Sequence, residues 1–391
     1  MNVPKIRFRD FNNDYISRKL SDISELTSSK RIYLSDYVSD GIPFYRGKEI
    51  TELKANKNVS DLLYITKEKY NEIKIKYGVP EKNDILITGV GTLGNIYRVP
   101  NDNPFYFKDG NLIWLKNIKE NSKYIEYNLE RNKRKILDSA IGSTQKALTI
   151  VGLSKLEFNF PSLNEQTKVS NFLSLIDKKI ELQSKKIEDL KLFKMSTLDK
   201  YFNKDTCKEK ALLKKYCSCL TGKSKADKVD INGNYYIMDM GTVNSDGNIL
   251  KIKPTFCNLD LLSYGDLVMP KDDIGGGLII GKTGFIDEDN KYVLGDHVYL
   301  LKVNDINSLF LHYQINSKYI NKQLKRKVTG SAQLGLKSDN ILNQEIYIYS
   351  EEEQKKIANI FKLIDRKIEL ETEKIFKLIN LKKGLMQNMF V

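Results

Sequence analysis

Two stretches of the chain share one hydrophobic rhythm. Val169, Leu173, Ile176, Ile180, Ile187 and Leu190 are spaced by threes, fours and one seven, and so are Ile357, Phe361, Ile364, Ile368, Ile375 and Leu378. This is the a/d seam of a coiled coil, with charged residues on the remaining faces. Neither stretch contains proline, and the one glycine is Gly384, near the end of the second. The pattern predicts two continuous helices of about 35 residues, each roughly 50 Å long. Gln183 and Glu371 interrupt the seams at matched places. A polar group there either fixes register and partner choice or turns out to solvent.

The two stretches are copies. At an offset of 188 the match runs without a gap from Glu165-Gln166 and Glu353-Gln354 to Phe202 and Phe390. Leu175-Ile176-Asp177 returns as Leu363-Ile364-Asp365, and Gly142-Ser143-Thr144-Gln145 returns as Gly330-Ser331-Ala332-Gln333. Upstream the match needs gaps: Asp84-Ile85-Leu86-Ile87 resembles Asp266-Leu267-Val268-Met269, and Leu20–Ser28 resembles Leu213–Gly222. The chain is a tandem pair, each half a variable globular part followed by a similar helix; the period is far above that of solenoids. Two such helices most simply pack on each other, antiparallel about an internal pseudo-dyad. The alternative is that each seeks a different protein. The globular parts read as α+β with small mixed sheets, with strands at Ile85–Thr88, Leu112–Leu115, Leu278–Ile280 and Val298–Val303. Helices are expected at Ile125–Leu137 and Leu309–Val328.

Composition sets the class. The 391 residues carry 64 Lys plus Arg against 50 Asp plus Glu, a net charge of +14 that favours a polyanionic partner. The excess is spread: +7 over 1–160, +2 over 161–207, +3 over 208–349 and +2 over 350–391. Globular faces, rather than a basic tail, should meet the partner, the first more through phosphates. No run of eighteen apolar residues predicts a membrane helix, and the start has no secretory h-region. Cys207, Cys217, Cys219 and Cys257 follow neither disulfide-framework nor zinc spacing, and a reducing cytoplasm is expected.

Several chemical motifs fail on context. Gly276–Thr283 fits the P-loop expression, and Gly89-Val90-Gly91-Thr92-Leu93-Gly94 fits the dinucleotide fingerprint. Both mechanisms need a helix N-terminus next to the glycines. Here strand-like residues follow, so each reads as a glycine turn between strands. The two histidines, His297 and His312, sit in no catalytic pattern, and no cofactor or metal motif stands out. The basic clusters weigh more. Arg131, Lys133, Arg134 and Lys135 end one helix just before Gly142-Ser143-Thr144-Gln145; Lys322, Lys325, Arg326 and Lys327 end its counterpart just before Gly330-Ser331-Ala332-Gln333. Such cations suit phosphate contact, and Ser143, Gln145, Ser331 and Gln333 suit a turn near base edges. The alternative is a solvated helix face with a structural turn.

These residues resemble the DNA-specificity subunits of Type I restriction–modification systems. The resemblance rests on Pro4-Lys5-Ile6-Arg7-Phe8 with Arg18-Lys19-Leu20, on the two Gly-Ser-x-Gln segments, and above all on the repeated Glu-Gln-x-Lys helices ending in Lys382-Lys383-Gly384-Leu385-Met386-Gln387-Asn388-Met389-Phe390. It implies target-recognition domains at 1–155 and 204–345, each reading half of a bipartite duplex DNA site. It also implies conserved coiled-coil helices at 156–203 and 346–391, which set the spacer and dock methyltransferase subunits, two in number, with restriction subunits joining through them. The chain would then have no catalytic activity of its own. S-adenosylmethionine, ATP and magnesium would belong to the partner subunits. The second half lacks an obvious copy of the opening Pro-Lys-Ile-Arg-Phe segment. Other readings are a specificity subunit of a methylation-only or other defence complex, a standalone DNA methyltransferase or nuclease, and a structural coiled-coil protein.

Overall fold

The computed structural model describes residues 3–55, 57–205, 208–330 and 333–391. They form two compact units, Met1–Leu182 with Ile375–Val391, and Gln183–Lys374. The long helices run Leu163–Tyr201 and Glu351–Met389, 39 residues each, with both ends related by the repeat offset. That is roughly 58 Å of helix apiece. Each unit therefore holds one half of each helix.

In the first unit, Glu25–Thr27, Leu112–Lys116, Ile85–Thr88 and Ile96–Arg98 form an antiparallel sheet in that order. A smaller sheet of Tyr37–Val38, Leu63–Ile65, Ile42–Tyr45 and Tyr106–Phe107 ends in a parallel pair. All four residues of Ile85–Thr88 are buried, as expected of a central strand rich in β-branched side chains. The core joins this sheet to both helix halves: Ile85, Ile87 and Leu115 lie with Val169, Leu173 and Ile176 and with Met389 and Phe390. The start of one helix meets the end of the other, so the two segments run antiparallel.

The second unit repeats the plan. Cys217–Thr221, Val298–Val303, Leu267–Pro270 and Gly284–Phe285 form an antiparallel sheet in the same order. A smaller sheet of Pro254–Thr255, Tyr235–Met238 and Tyr292–Leu294 also contains a parallel pair. The core brings Leu198 and Phe202 against Ile357 and Phe361. Burying each such side chain stabilises by roughly 1.5–3 kcal/mol. Of the seam positions, Val169, Leu173, Ile176, Ile357 and Phe361 are buried. Ile180, Ile187, Leu190, Ile364, Ile368, Ile375 and Leu378 are half-buried.

One anchor is built twice. Tyr127 donates to Asp177 at 2.6 Å, and Lys382 pairs with the same carboxylate at 2.5 Å while lying over the Tyr127 ring. In the second unit Tyr313 donates to Asp365 at 2.8 Å, with Lys194 at 2.5 Å and over the Tyr313 ring. Burial, then the carboxylate, pushes both phenols up from the ordinary tyrosine value, so they stay protonated donors. Each set ties a short helix to both long ones.

Gln183 and Glu371 touch. The Gln183 amide donates to the Glu371 carboxylate and, at 3.3 Å, to its backbone carbonyl. Lys186 at 2.9 Å, Lys367 at 3.2 Å and Lys374 at 3.3 Å surround that carboxylate. The Lys186 and Gln183 hydrogen bonds lead in holding Glu371 well below the usual carboxylate range. Matched seam breaks thus become one polar layer. A depressed carboxylate pKa contributes stability above the unfolded-state value of about 4.3 and loses it as pH falls below that. Glu371→Gln should therefore lower the melting temperature at pH 7, with the gap to wild type closing below about pH 4. A gap that does not change with pH in thermal melts would contradict this.

Three local expectations change. The first predicted short helix breaks at Asn132, between Ser122–Arg131 and Lys133–Asp138. The Asn132 side chain is drawn back onto Asn128. The second breaks at Ser317, between Ser308–Asn316 and Lys318–Lys325, where the Ser317 hydroxyl donates to the Gln314 carbonyl. Short polar side chains compete with the helix for its own backbone. Leu278–Ile280 is not a strand. Gly276 and Gly277 both take positive φ, and the segment becomes a loop. No helix of the described residues is long and apolar enough to cross a membrane.

Candidate nucleic-acid interface

Each unit converges three elements on one surface: a glycine turn, a tight hairpin and a short basic helix, whose cations begin the helix in the first unit instead of ending it as in the second. In the first, Ile141 and Ala147 exchange backbone hydrogen bonds at 2.9 and 2.8 Å. Gly142 closes this hairpin at φ +112, and a Cβ there would lie 2.3 Å from the Gln145 carbonyl oxygen. Leu148, just beyond, donates to the Gly89 carbonyl at 2.9 Å, docking the hairpin on the Gly89–Gly94 turn. A Cβ on Gly94 would lie 3.2 Å from Leu137 and 3.8 Å from the Lys133 side chain, so the turn also supports the basic helix.

The second unit repeats this geometry. Thr329 and Gly335 exchange hydrogen bonds at 2.9 and 2.8 Å, and Gly330 takes φ +99 with the Gln333 carbonyl 2.1 Å from a would-be Cβ. Leu336 donates to Lys271, Lys271 donates to His297, and Asn321 donates to the Gly281 carbonyl at 2.8 Å. Lys133 and Asn321 therefore occupy the same place on their turns. The two basic clusters match in position, not residue for residue.

Arg131, Arg134, Lys322 and Arg326 are exposed, as are Ser143, Gln145 and Gln333 at the hairpins. Arg134 has 95% of its side chain free, with Asp138 at 4.0 Å. Lys325 and Lys133 are half-buried, the latter 3.5 Å from Asn95. Ser331 lies outside the described residues. Two cations bond within the protein itself, Lys135 while staying exposed and Lys327 half-buried. Lys135 donates to the Glu157 carbonyl at 2.5 Å. Lys327 donates to the carbonyls of Asn340 and Asn343 and to the Gln344 side chain, and burial lowers its pKa. Sequence spacing could not separate them from their free neighbours, because the partners come from segments 13 to 22 residues away.

Neither glycine motif leads into a helix; strands Ile96–Arg98 and Gly284–Phe285 follow. Lys282 points inward to the Asn316 carbonyl at 3.1 Å, and burial pushes its pKa down to about 8. His312 is buried and held neutral, its pKa pushed down to about 3. Among the described residues Asp239, Asp296 and His297 come close enough to share a cation. The Lys253 ammonium, 2.6 Å from Asp239, already supplies positive charge, and the His297 amide takes the other Asp239 oxygen at 3.3 Å.

The model of the type I restriction modification DNA specificity domain matches twice, over residues 12–192 and 217–380. The chain belongs to that family. A type I restriction enzyme specificity subunit of Methanocaldococcus jannaschii is 27% identical over 293 residues, 67% of this chain and 68% of the relative. A Haemophilus influenzae chain assigned to the same class is 31% identical over 167 residues, 41% of this chain. That match spans only 39% of the Haemophilus protein's length. The crystal structure of a type I restriction–modification S subunit from M. genitalium superposes with a TM-score of 0.65 at 17% identity, covering 100% of this chain and 99% of that one. A chain from a study of type I restriction–modification complex assembly and conformational transition gives 0.59 at 14% identity, covering 95% and 96%.

The residues that carry this specificity-family likeness have structural work to do. Gln166 accepts from the Asn121 amide at 3.1 Å and donates to the Pro161 carbonyl at 2.9 Å; Gln354 does the same with Asn307 and Tyr349, both at 2.8 Å. Asn121 and Asn307 are in turn the N-caps of the short helices. Arg7 grips Glu165 through two bonds of 2.8 Å. In the second half Lys208 takes this role, 2.7 Å from Glu353. Both halves thus place one cation on that glutamate, and the second does so without a copy of the opening segment.

Proposed function

We propose that the chain is the non-catalytic DNA-recognition subunit of a Type I restriction–modification complex. Its target-recognition domains lie at 1–155 and 204–345, and each takes one half of a bipartite duplex site. The observation that carries this is the same glycine turn, hairpin and basic helix built twice, within a family whose described role is DNA specificity. Arg131, Lys133, Arg134, Lys322, Lys325 and Arg326 neutralise phosphates; Ser143, Gln145 and Gln333 ride on the hairpins toward base edges, and Ser331, outside the described residues, is assigned the same role. Lys135 and Lys327 hold the surface in shape.

The segments 156–203 and 346–391, whose helices proper run Leu163–Tyr201 and Glu351–Met389 after a short strand in each, set the spacer and dock methyltransferase subunits. Supporting the docking, Phe172, Leu175 and Leu182 stay exposed on one helix, and Ile360, Leu363 and Leu370 at the matched places on the other. Leu175 is 68% and Leu363 71% exposed. Duplicate apolar stripes suit two equivalent partners. Restriction subunits join through these partners, the complex works in the cytoplasm, and S-adenosylmethionine, ATP and magnesium are held by the partners. A specificity subunit serving methylation alone is the second reading; the same recognition surface favours it equally.

Methylome sequencing of cells carrying the chain with a cognate methyltransferase tests the reading: a bipartite methylated motif is expected, and an absence of any new motif refutes it. Lys133→Ala with Arg134→Ala should weaken binding to all sequences and flatten the salt dependence by about two units of log–log slope. An effect confined to one sequence would make these residues base readers instead.

A further inference from the structure

The two glycine turns differ in one respect. Gly89 and Lys271 occupy equivalent places, each accepting from the residue that follows its hairpin and each donating to the adjacent strand's lead-in residue. Gly94 and Gly281 are equivalent at the far end, each facing the basic helix. Between these marks the second unit is longer, spanning 271–281 against 89–94.

The extra residues are not slack. Asp273 is buried at the foot of the loop, and its carboxylate accepts from the amides of Gly275 at 2.6 Å and Ile279 at 2.8 Å. Ile280 is buried at the other foot. Gly276 and Gly277, at φ +80 and +82, turn the chain between them, and a Cβ on Gly277 would lie 3.1 Å from Leu334 of the hairpin. Asp272 pairs with Gly335, which closes that hairpin. The loop is thus continuous with the candidate DNA surface and held in one shape.

What it displays is apolar. Ile274 is 70% and Leu278 63% exposed. In the first unit the corresponding Val90 and Leu93 are half-buried, Leu93 against the core. Single exposed aliphatics are ordinary on a protein surface. Two of them on a capped, glycine-turned loop beside a hairpin and a basic helix end are placed to meet a duplex. In the major groove, the one apolar group that distinguishes a base pair is the thymine C5-methyl.

We propose that Ile274 and Leu278 are specificity-determining residues that read the C5-methyl of thymine in the half-site taken by the second target-recognition domain. The inference rests on the DNA-recognition reading above. The first domain's glycine turn offers no matching pair, since Val90 and Leu93 are half-buried there.

The test uses the full-length chain and duplexes selected from a random pool. One selected half-site is expected to require thymine. Replacing that thymine with deoxyuridine removes only the methyl and should weaken wild-type binding about fourfold, the ratio for one buried methyl group. Ile274→Ser with Leu278→Ser should bind thymine and deoxyuridine duplexes alike, relax selection at that position and leave the other half-site unchanged. Because both side chains are exposed, the melting temperature should hold, and Ile274→Val with Leu278→Met should keep the thymine preference. A half-site without thymine on either strand overturns the inference, as does a deoxyuridine penalty that survives in the serine variant. A pool in which the wild type enriches no sequence overturns the recognition reading itself.

Discussion

Replacing Gly330 with alanine should erase selection at one half of the DNA target and leave the other intact; Gly142→Ala should do the reverse. Both glycines hold a positive φ that an L side chain adopts at a cost of about 1–3 kcal/mol. The new Cβ would also sit 2.1 Å and 2.3 Å from a carbonyl oxygen that cannot withdraw, since Gln333 and Gln145 are inside the same hairpin. The hairpin must open, and with it goes the placement of Gln333 or Gln145. Loss of one head removes the intramolecular advantage of a two-headed reader, about 100-fold or more in affinity. Random-pool selection with each variant reads this directly. Retention of both half-sites in either variant would show that the hairpins are structural turns only.

The second large effect concerns the helices. Inserting one heptad in both should shift the preferred spacer by about three base pairs, because seven residues add roughly 10.5 Å of helix and each base pair about 3.4 Å. The half-sites themselves should not change. A heptad rotates the helix surface by only about 20°. Three base pairs turn DNA by nearly a third of a revolution, so binding at the new optimum should also be weaker. The insertion belongs away from Gln183 and Glu371, whose contact with Lys186, Lys367 and Lys374 locks register. Methylome sequencing or selection with the lengthened chain measures the spacer; an unchanged spacer removes the ruler from the mechanism.

Much of this was legible in the residues. The helices follow their seam because a 3.5-residue apolar period admits few other structures, and their ends keep the offset seen in the sequence. The glycine motifs were separable from phosphate loops because strand-forming residues follow them. The small sheets were less legible: Leu278–Ile280 reads as strand by composition, but Asp273 and three glycines make it a loop.

What only the tertiary structure decided is which residues meet. Lys135 and Arg134 are neighbours in sequence, yet one caps a carbonyl and the other faces solvent, because Glu157 arrives from a distant strand. Gln183 and Glu371 are 188 residues apart, and their pairing follows from antiparallel packing, not from either helix alone. The Glu-Gln signature became intelligible only when Gln166 and Gln354 were found capping Asn121 and Asn307. Periodicity, propensity and duplication are local or repeated along the chain, so the sequence by itself determined the tandem plan, the two long helices and the family likeness. Which cations remain free for DNA, and which loop carries an apolar tip, depends on contacts between remote segments, and those exist only in the folded chain.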